Sequence, residues 1–265
     1  MDYQLVPAAS LAGMYFTLAL CVLLPFALCY IIWRRTKAKV SSYFIAWLIF
    51  LIFVLGLEQL VHTIVLKTSF GTAIQQNLGM YAFYGGFTAA LFEEVGRFLA
   101  MKYIMKNRLD KYNALMFGAG YSGFEALVVT AMTYVNNITV SMMIQNGTFE
   151  QLLQDMTVEQ QQETISSLSG LWTMAPYQFF MGGVERIFAI IVQISLSIIV
   201  YKAVKDNKPT FFITAFLIHL VVDFVSIIAG STFPIIVAEL VIGVISVVIG
   251  IYARRIYRED ICEII

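Results

Sequence analysis

Long apolar runs separated by short polar stretches dominate the chain. Seven are long enough to cross a bilayer, at about 11–33, 43–65, 80–101, 112–134, 176–201, 211–230 and 233–253. A crossing needs about 20 apolar residues, because the hydrocarbon layer is about 30 Å thick and a helix rises about 1.5 Å per residue. Lipid offers the backbone no hydrogen-bond partners, so each run is expected as a helix. The short alternating segments of a strand barrel do not occur. The stretch before the first run, MDYQLVPAAS, has neither a positive leader nor a small-residue cleavage site, and the run reads as a retained span. The fold class expected is therefore all-α: a polytopic membrane bundle forming one integral membrane domain over residues 1–265.

Composition agrees with the pattern. Of 265 residues, 60% are hydrophobic and 13% charged, against about 45–50% and about 25% in soluble domains. The net charge is zero, so no basic field exists for nucleic acid. Cys21, Cys29 and Cys262 form neither a disulfide framework nor a CxxC metal pair. The bilayer is the first partner implied, in the plasma membrane of a bacterium.

Basic residues set the expected orientation. Arg34, Arg35, Lys37 and Lys39 follow the first run, and Lys102, Lys106, Arg108 and Lys111 follow the third. Lys202, Lys205 and Lys208 follow the fifth, and Arg254, Arg255 and Arg258 follow the seventh. With seven crossings, 14 of the 17 Lys and Arg lie on one side and only Lys67 on the other. The N-terminus is then outside and the C-terminus cytosolic. An external loop at about 135–171 carries acids but no Lys or Arg, and its stretch QLLQDMTVEQQQETISSLSGL fits a short surface helix.

Ionisable residues inside the runs change the picture from architecture to chemistry. Glu58, Glu93, Glu94, Glu125, Glu185, Asp223 and Glu239 lie there, with His62, His219, Arg97 and Arg186. Each charged group at mid-bilayer costs about 2.5–3.5 kcal/mol on insertion scales, so eleven need pairing, water or a function. Glu93–Arg97, His219–Asp223, Glu58–His62 and Tyr121–Glu125 are spaced i,i+4, and Glu94–Arg97 i,i+3, which puts each pair on one helix face. Counted from the cytosolic ends, Glu94, Tyr121 and His219 share a depth of about 12–14 Å. Three helices can thus present polar groups to one layer. Glu185–Arg186 and Glu58–His62 fit helix glue as well as they fit a cavity lining, and Glu239 reads as interfacial. Gly118-Ala-Gly120-Tyr-Ser-Gly123 spells GxGxxG, but it lies inside an apolar run, so close helix packing is the expected role.

These residues carry a resemblance. Phe92-Glu93-Glu94-Val95-Gly96-Arg97 resembles the glutamate-pair-plus-arginine signature of membrane-embedded CAAX-type proteases, as EExxR and not EExxxR. His219-Leu-Val-Val-Asp223 resembles their HxxxN or HxxxD motif. The nearest likeness is to the YhfC-like family of intramembrane metallopeptidases. FEEVGR, GAGYSGFEALV, GGVERIFAIIVQISLSI and HLVVDF follow in its order across essentially the whole chain. The seven-span layout is also similar to the anterior-pharynx-defective subunit of γ-secretase.

The resemblance implies hydrolysis of a peptide bond in a membrane protein or peptide substrate. Glu93 or Glu94 would activate water, His219 and Asp223 would bind metal or stabilise the oxyanion, and Arg97 would hold the glutamate pair. The implied cofactor is a divalent metal, zinc by the family pattern, on Glu94, Glu125, His219 and Asp223. Tyr121, Glu185, Arg186, Glu58 and His62 would line the cavity. One departure stands out: the family's GxGHGGxE has Tyr121 and Ser122 here, and a phenol, ordinarily ionising near pH 10, is a poor zinc ligand and base. Two other readings stay open: a non-catalytic scaffold that keeps the polar cavity, and a transporter with an acidic pathway.

Overall fold

The computed structural model describes residues 3–262, and its described residues form helices without strands. The first helix, α1, spans Ala8–Thr36, and α2 spans Val40–Val65 with a π-helical turn at Phe53–Glu58. A short α3, Ser69–Gln76, precedes α4, Leu78–Leu99, which runs on into a π-helical turn at Ala100–Ile104. Next comes α5, Lys111–Gln145, which contains a third π-helical turn at Ala126–Ala131. Three short helices follow: α6 (Phe149–Leu153), α7 (Val158–Leu168) and α8 (Gly170–Thr173). The last three helices are α9 (Pro176–Lys205), α10 (Pro209–Thr232) and α11 (Ile235–Cys262).

Among the described residues, six helices are long and apolar enough to cross a membrane: α1, α2, α5, α9, α10 and α11. The remaining run, α4, has 22 residues, but Glu93, Glu94 and Arg97 crowd its second half. Local signals explain several helix ends. Thr68 caps α3 by accepting from Gly71 N–H, and Asn77 caps α4 by accepting from Met80 N–H. Pro209 opens α10, where a missing N–H costs nothing.

The region expected as an external loop at 135–171 is largely helical. Three hydroxyls in α5 that look like loop formers turn back on their own helix. Thr133, Thr139 and Ser141 donate to the carbonyls four residues earlier at 2.7, 2.8 and 2.7 Å. With those groups satisfied, Ile138, Val140 and Ile144 are free to bury an apolar face. The surface helix expected within that stretch is α7, opened by a Thr157–Gln160 capping box.

The chain divides into two compact units. The first comprises residues up to Leu23 together with Ala126–Arg186. Its core gathers Met14, Ile138, Phe149, Leu153, Leu171 and Phe179. Thr17 and Tyr134 both donate to the Phe179 carbonyl, at 2.6 and 3.1 Å. Glu185 and Arg186, from the candidate cavity lining, lie in this unit and bond to each other. Cys21 is a free, buried thiol here, while Cys262 lies outside the residues whose side chains are described.

The second unit comprises Leu24–Glu125 and Ile187–Ile265. Within it α4 packs along α10, and α2 packs along the first half of α5. Both contacts depend on glycine. A Cβ on Gly120 would run into the Tyr43 backbone, and one on Gly86 would sit 2.8 Å from the Leu220 carbonyl oxygen. The GxGxxG stretch is therefore helix packing, with Gly118 against Ile194 and Ser197 and Gly123 against Pro25.

Candidate active site

All the chemistry-bearing residues of α4, α5 and α10 lie in the second unit, and helical spacing delivers them to one cluster. Arg97 is fully buried at its centre. Its Nη2 donates to Glu93 Oε2 at 2.9 Å, and its Nη1 lies 3.3 Å from Glu94 Oε1. These are the i,i+4 and i,i+3 pairings expected from the sequence. The guanidinium also bonds to the side-chain oxygen of Gln193 and stacks 4.2 Å from the centre of the Tyr121 ring. Buried cation–π contacts of this kind contribute up to about 2 kcal/mol.

Across the helix pair, His219 completes the cluster. Its Nδ1 lies 2.7 Å from Glu94 Oε1. Its Nε2 is 3.4 Å from Asp223 Oδ2 and 3.9 Å from Glu93 Oε2. The ring is thus held between carboxylates on both sides. Access is uneven: the Asp223 side chain is 32% exposed, those of His219 and Glu93 are 4% and 9%, and Glu94 is sealed. Asp223 is thus partly exposed beside His219, Glu93, Glu94 and Arg97, which are buried.

Gln193, on α9, is the residue that charge spacing missed. Its Nε2 donates to Glu93 Oε2 at 3.0 Å and to Glu125 Oε2 at 2.7 Å, tying two acids on different helices. The signal that could have found it is an amide standing amid the long apolar face of IFAIIVQISLSI. Three buried side-chain atoms of the cluster have no hydrogen-bond partner among the described residues: Glu94 Oε2, Arg97 Nε and the Tyr121 hydroxyl.

Glu58 and His62 form a satellite on α2. Glu58 closes the π-helical turn and is buried, while His62 Nε2 lies 3.4 Å from Glu58 Oε1. The other imidazole nitrogen meets the Tyr84 hydroxyl at 2.9 Å. The π-helical turn that ends on Glu58 packs against α4, the helix that carries Glu93, Glu94 and Arg97.

The donor set does not suit a catalytic zinc, which takes about three protein ligands and keeps one position open. Among the described residues no three of His, Cys, Asp and Glu come together to hold a metal ion. Side-chain partnerships explain this. Arg97 and Gln193 engage Glu93, Arg97 and His219 engage Glu94, and Gln193 engages Glu125. Tyr121 supplies an aromatic face to Arg97.

A polytopic helical bundle with a buried carboxylate–imidazole–guanidinium cluster is the architecture of an integral membrane protein built around intramembrane polar chemistry. The chain belongs to the YhfC intramembrane metalloprotease family, whose model matches residues 20–245. It is 39% identical over 205 residues to the uncharacterized membrane protein YhfC of Bacillus subtilis (strain 168), covering 76% of this chain and 78% of that one. No solved structure matches the chain. The family's description carries a metal, a property that this chain's own side-chain arrangement does not supply.

Proposed function

We propose that this chain is a membrane-embedded peptidase that hydrolyses an amide bond of a membrane protein or peptide at Asp223 and His219. The observation that carries the reading is the orientation of His219. Glu94 holds one ring nitrogen, and the other faces Asp223, the cluster member with substantial exposure. A partly exposed carboxylate beside an imidazole suits general acid–base chemistry on a bound carbonyl.

In this mechanism Asp223 takes a proton from water as the oxygen adds to the carbonyl carbon. The Nε2–H of His219 donates to the resulting oxyanion, a role that favours preorganised donors in a dry site. The proton on Asp223 then passes to the amide nitrogen, the C–N bond breaks, and an acid and an amine leave. Glu94 fixes the ring, while Arg97, Gln193 and Tyr121 fix Glu94 and Glu93. No step passes through a metal, because the donor set presents no three-ligand group. Kinship with CAAX-type proteases rests on the EExxR and HxxxD spacings alone.

The topology that goes with this reading has α4 as a seventh crossing, with the N-terminus outside. Its ionisable side chains face helices and not lipid, since Glu93, Glu94 and Arg97 are all buried. The test is cleavage of membrane-spanning peptides by the protein in proteoliposomes, read by mass spectrometry. Asp223→Asn and His219→Ala should each lower the rate by about 10²–10⁴-fold, the usual worth of a general acid or base. Unaltered cleavage in both variants would refute the reading. The complete burial of Tyr121 against Arg97 favours one competing reading, a scaffold that keeps the cluster for structure. That reading requires no cleavage by the unmodified protein.

A further inference from the structure

An apolar cavity of about 540 Å³ opens between α3 and the first turns of α4. Phe70, Ile74, Met80, Phe83, Tyr84 and Phe87 line it, with Asn77 at its rim. The volume falls in the range of about 300–1,000 Å³ typical of ligand sites. Ile74 is buried at its base, whereas Phe70, Met80, Phe83 and Phe87 remain exposed. It therefore opens outward while being closed beneath.

Its position relative to the active site is what gives it meaning. Tyr84 and Phe87 bracket Gly86 on α4, and the missing Cβ of Gly86 lies 3.4 Å from the Cβ of Asp223. Gly86, flanked by these two lining residues but not itself part of the lining, thus stands against Asp223. Tyr84 lines the cavity with its ring and meets His62 with its hydroxyl, joining the cavity to the Glu58 satellite. Beyond it, Phe83, Phe87 and Leu91 form an exposed apolar stripe at i,i+4 spacing along the same helix. A lipid chain alone would have no need of this registry with a carboxylate. Two lining residues, Tyr84 and Phe87, are within two positions along α4 of the residue that meets Asp223.

We infer that this cavity is a specificity subsite for large apolar side chains of a membrane-spanning substrate segment, placed so that docking there sets the bond presented to Asp223 and His219. The inference rests on the peptidase reading for its consequence, but the docking itself does not depend on turnover. Leucine, isoleucine, methionine and phenylalanine are the side chains that fit such a lining. Alanine leaves the cavity unfilled, and a charged side chain meets no countercharge among the lining residues.

The test uses the full protein in phosphatidylcholine proteoliposomes, with the photocrosslinker p-benzoyl-L-phenylalanine placed at Phe83 and, as a control, at the exposed Leu240 of α11. The probe is a lysine-flanked polyleucine peptide about 20 residues long, compared with a polyalanine-rich one of equal length. Labelling of the polyleucine peptide from Phe83 should exceed that from Leu240 by about tenfold, the ratio given by about 1.4 kcal/mol of preferential docking. Polyalanine should lose most of that excess. Met80→Trp, which fills the cavity, should abolish it, while Met80→Leu with an unchanged melting temperature should retain it. Equal labelling at Phe83 and Leu240, insensitivity to Met80→Trp, or adducts with lipid chains alone would overturn the inference. Repeating the labelling in His219→Ala separates the two proposals. Preferential labelling without any cleavage by unmodified protein supports the subsite and sinks the peptidase. Cleavage that needs His219 but proceeds without preferential labelling does the reverse.

Discussion

The ring of Tyr121 lies under the guanidinium of Arg97, with the guanidinium carbon 4.2 Å from the ring centre. The phenol therefore serves through its face, and its buried hydroxyl has no hydrogen-bond partner among the described residues. Around this stack the cluster has one cation held by two carboxylates, an amide and an aromatic plane. A guanidinium suits this role because its planar fork can stack and donate at once.

Arg97→Ala should lower the thermal stability of the protein in detergent sharply. Removing one partner of a buried ion pair typically costs about 3–5 kcal/mol, because the carboxylates stay buried without compensation. Arg97→Lys should restore little, since an ammonium can neither bridge Glu93 and Glu94 as a fork nor stack flat on Tyr121. A melting temperature unchanged by Arg97→Ala would show that the pairings contribute nothing.

Gln193→Leu tests the crosslink between helices. The apolar replacement leaves Glu93 and Glu125 each short of a donor they now have at 3.0 and 2.7 Å. Loss of such buried bonds costs about 1–3 kcal/mol. Denaturation in mixed micelles should register that loss. Stability equal to the unmodified protein would mean that water replaces the amide.

Zinc content distinguishes this chain's site from one with two imidazoles. After dialysis the unmodified protein should hold little zinc, and Tyr121→His should hold more, in a manner abolished by adding His219→Ala. Imidazole binds zinc readily where a phenol does not. Stoichiometric zinc in the unmodified protein that disappears with His219→Ala would show that carboxylates and one imidazole suffice.

Gly120→Ala should destabilise the second unit by about 1–3 kcal/mol, the usual cost of overpacking. The new methyl group would meet the backbone of Tyr43, which cannot swing aside as a side-chain tip can. Gly230→Ala is the control, because nothing lies within 4 Å of its added Cβ. Equal melting temperatures for the two variants would mean that α2 and α5 have room to part.

Orientation is checked by labelling in intact cells on a background without native cysteines. Gln160→Cys should react with an impermeant maleimide from outside, and Asn107→Cys only after permeabilisation. The reverse pattern would invert the topology inferred from the basic residues.

Much of this molecule can be read along the chain, because bilayer thickness and backbone satisfaction leave few options for an apolar run. The seven runs correspond to helices whose ends lie within a few residues of expectation, except that α5 continues to Gln145 and α11 to Cys262. The polar residues of α5 look like loop formers, and only their bonds to their own helix reveal otherwise. Local pairings were equally legible: Glu93–Arg97, Glu58–His62 and His219–Asp223 are neighbours by helical geometry. What could not be read was the meeting of separate helices. Gln193 has no charge and no ionisable residue at i,i+4 spacing, so its role appears only once α9 is set against α4. Tyr121 could be placed at the right depth, but its engagement through the ring face depended on where Arg97 pointed. The cavity between α3 and α4 also had no signature, since its aromatics look like ordinary lipid-facing residues.

The three π-helical turns have a consequence for how this protein tolerates change. They occur at Phe53–Glu58, ending on Glu58; at Ala100–Ile104, three residues past Arg97; and at Ala126–Ala131, directly after Glu125. A π turn contains one residue more than the α-helix around it requires. Excising one residue from Val54–Leu57 would therefore leave a smooth helix instead of a broken one. The two flanking halves would keep their relative facing, because the wide turn absorbs its extra residue without advancing the helical face. Glu58 and His62 would keep their present facing relative to the preceding half of α2. Lineages that lose a single residue at any of these three places would keep both the helix and the aim of the polar groups beyond the turn.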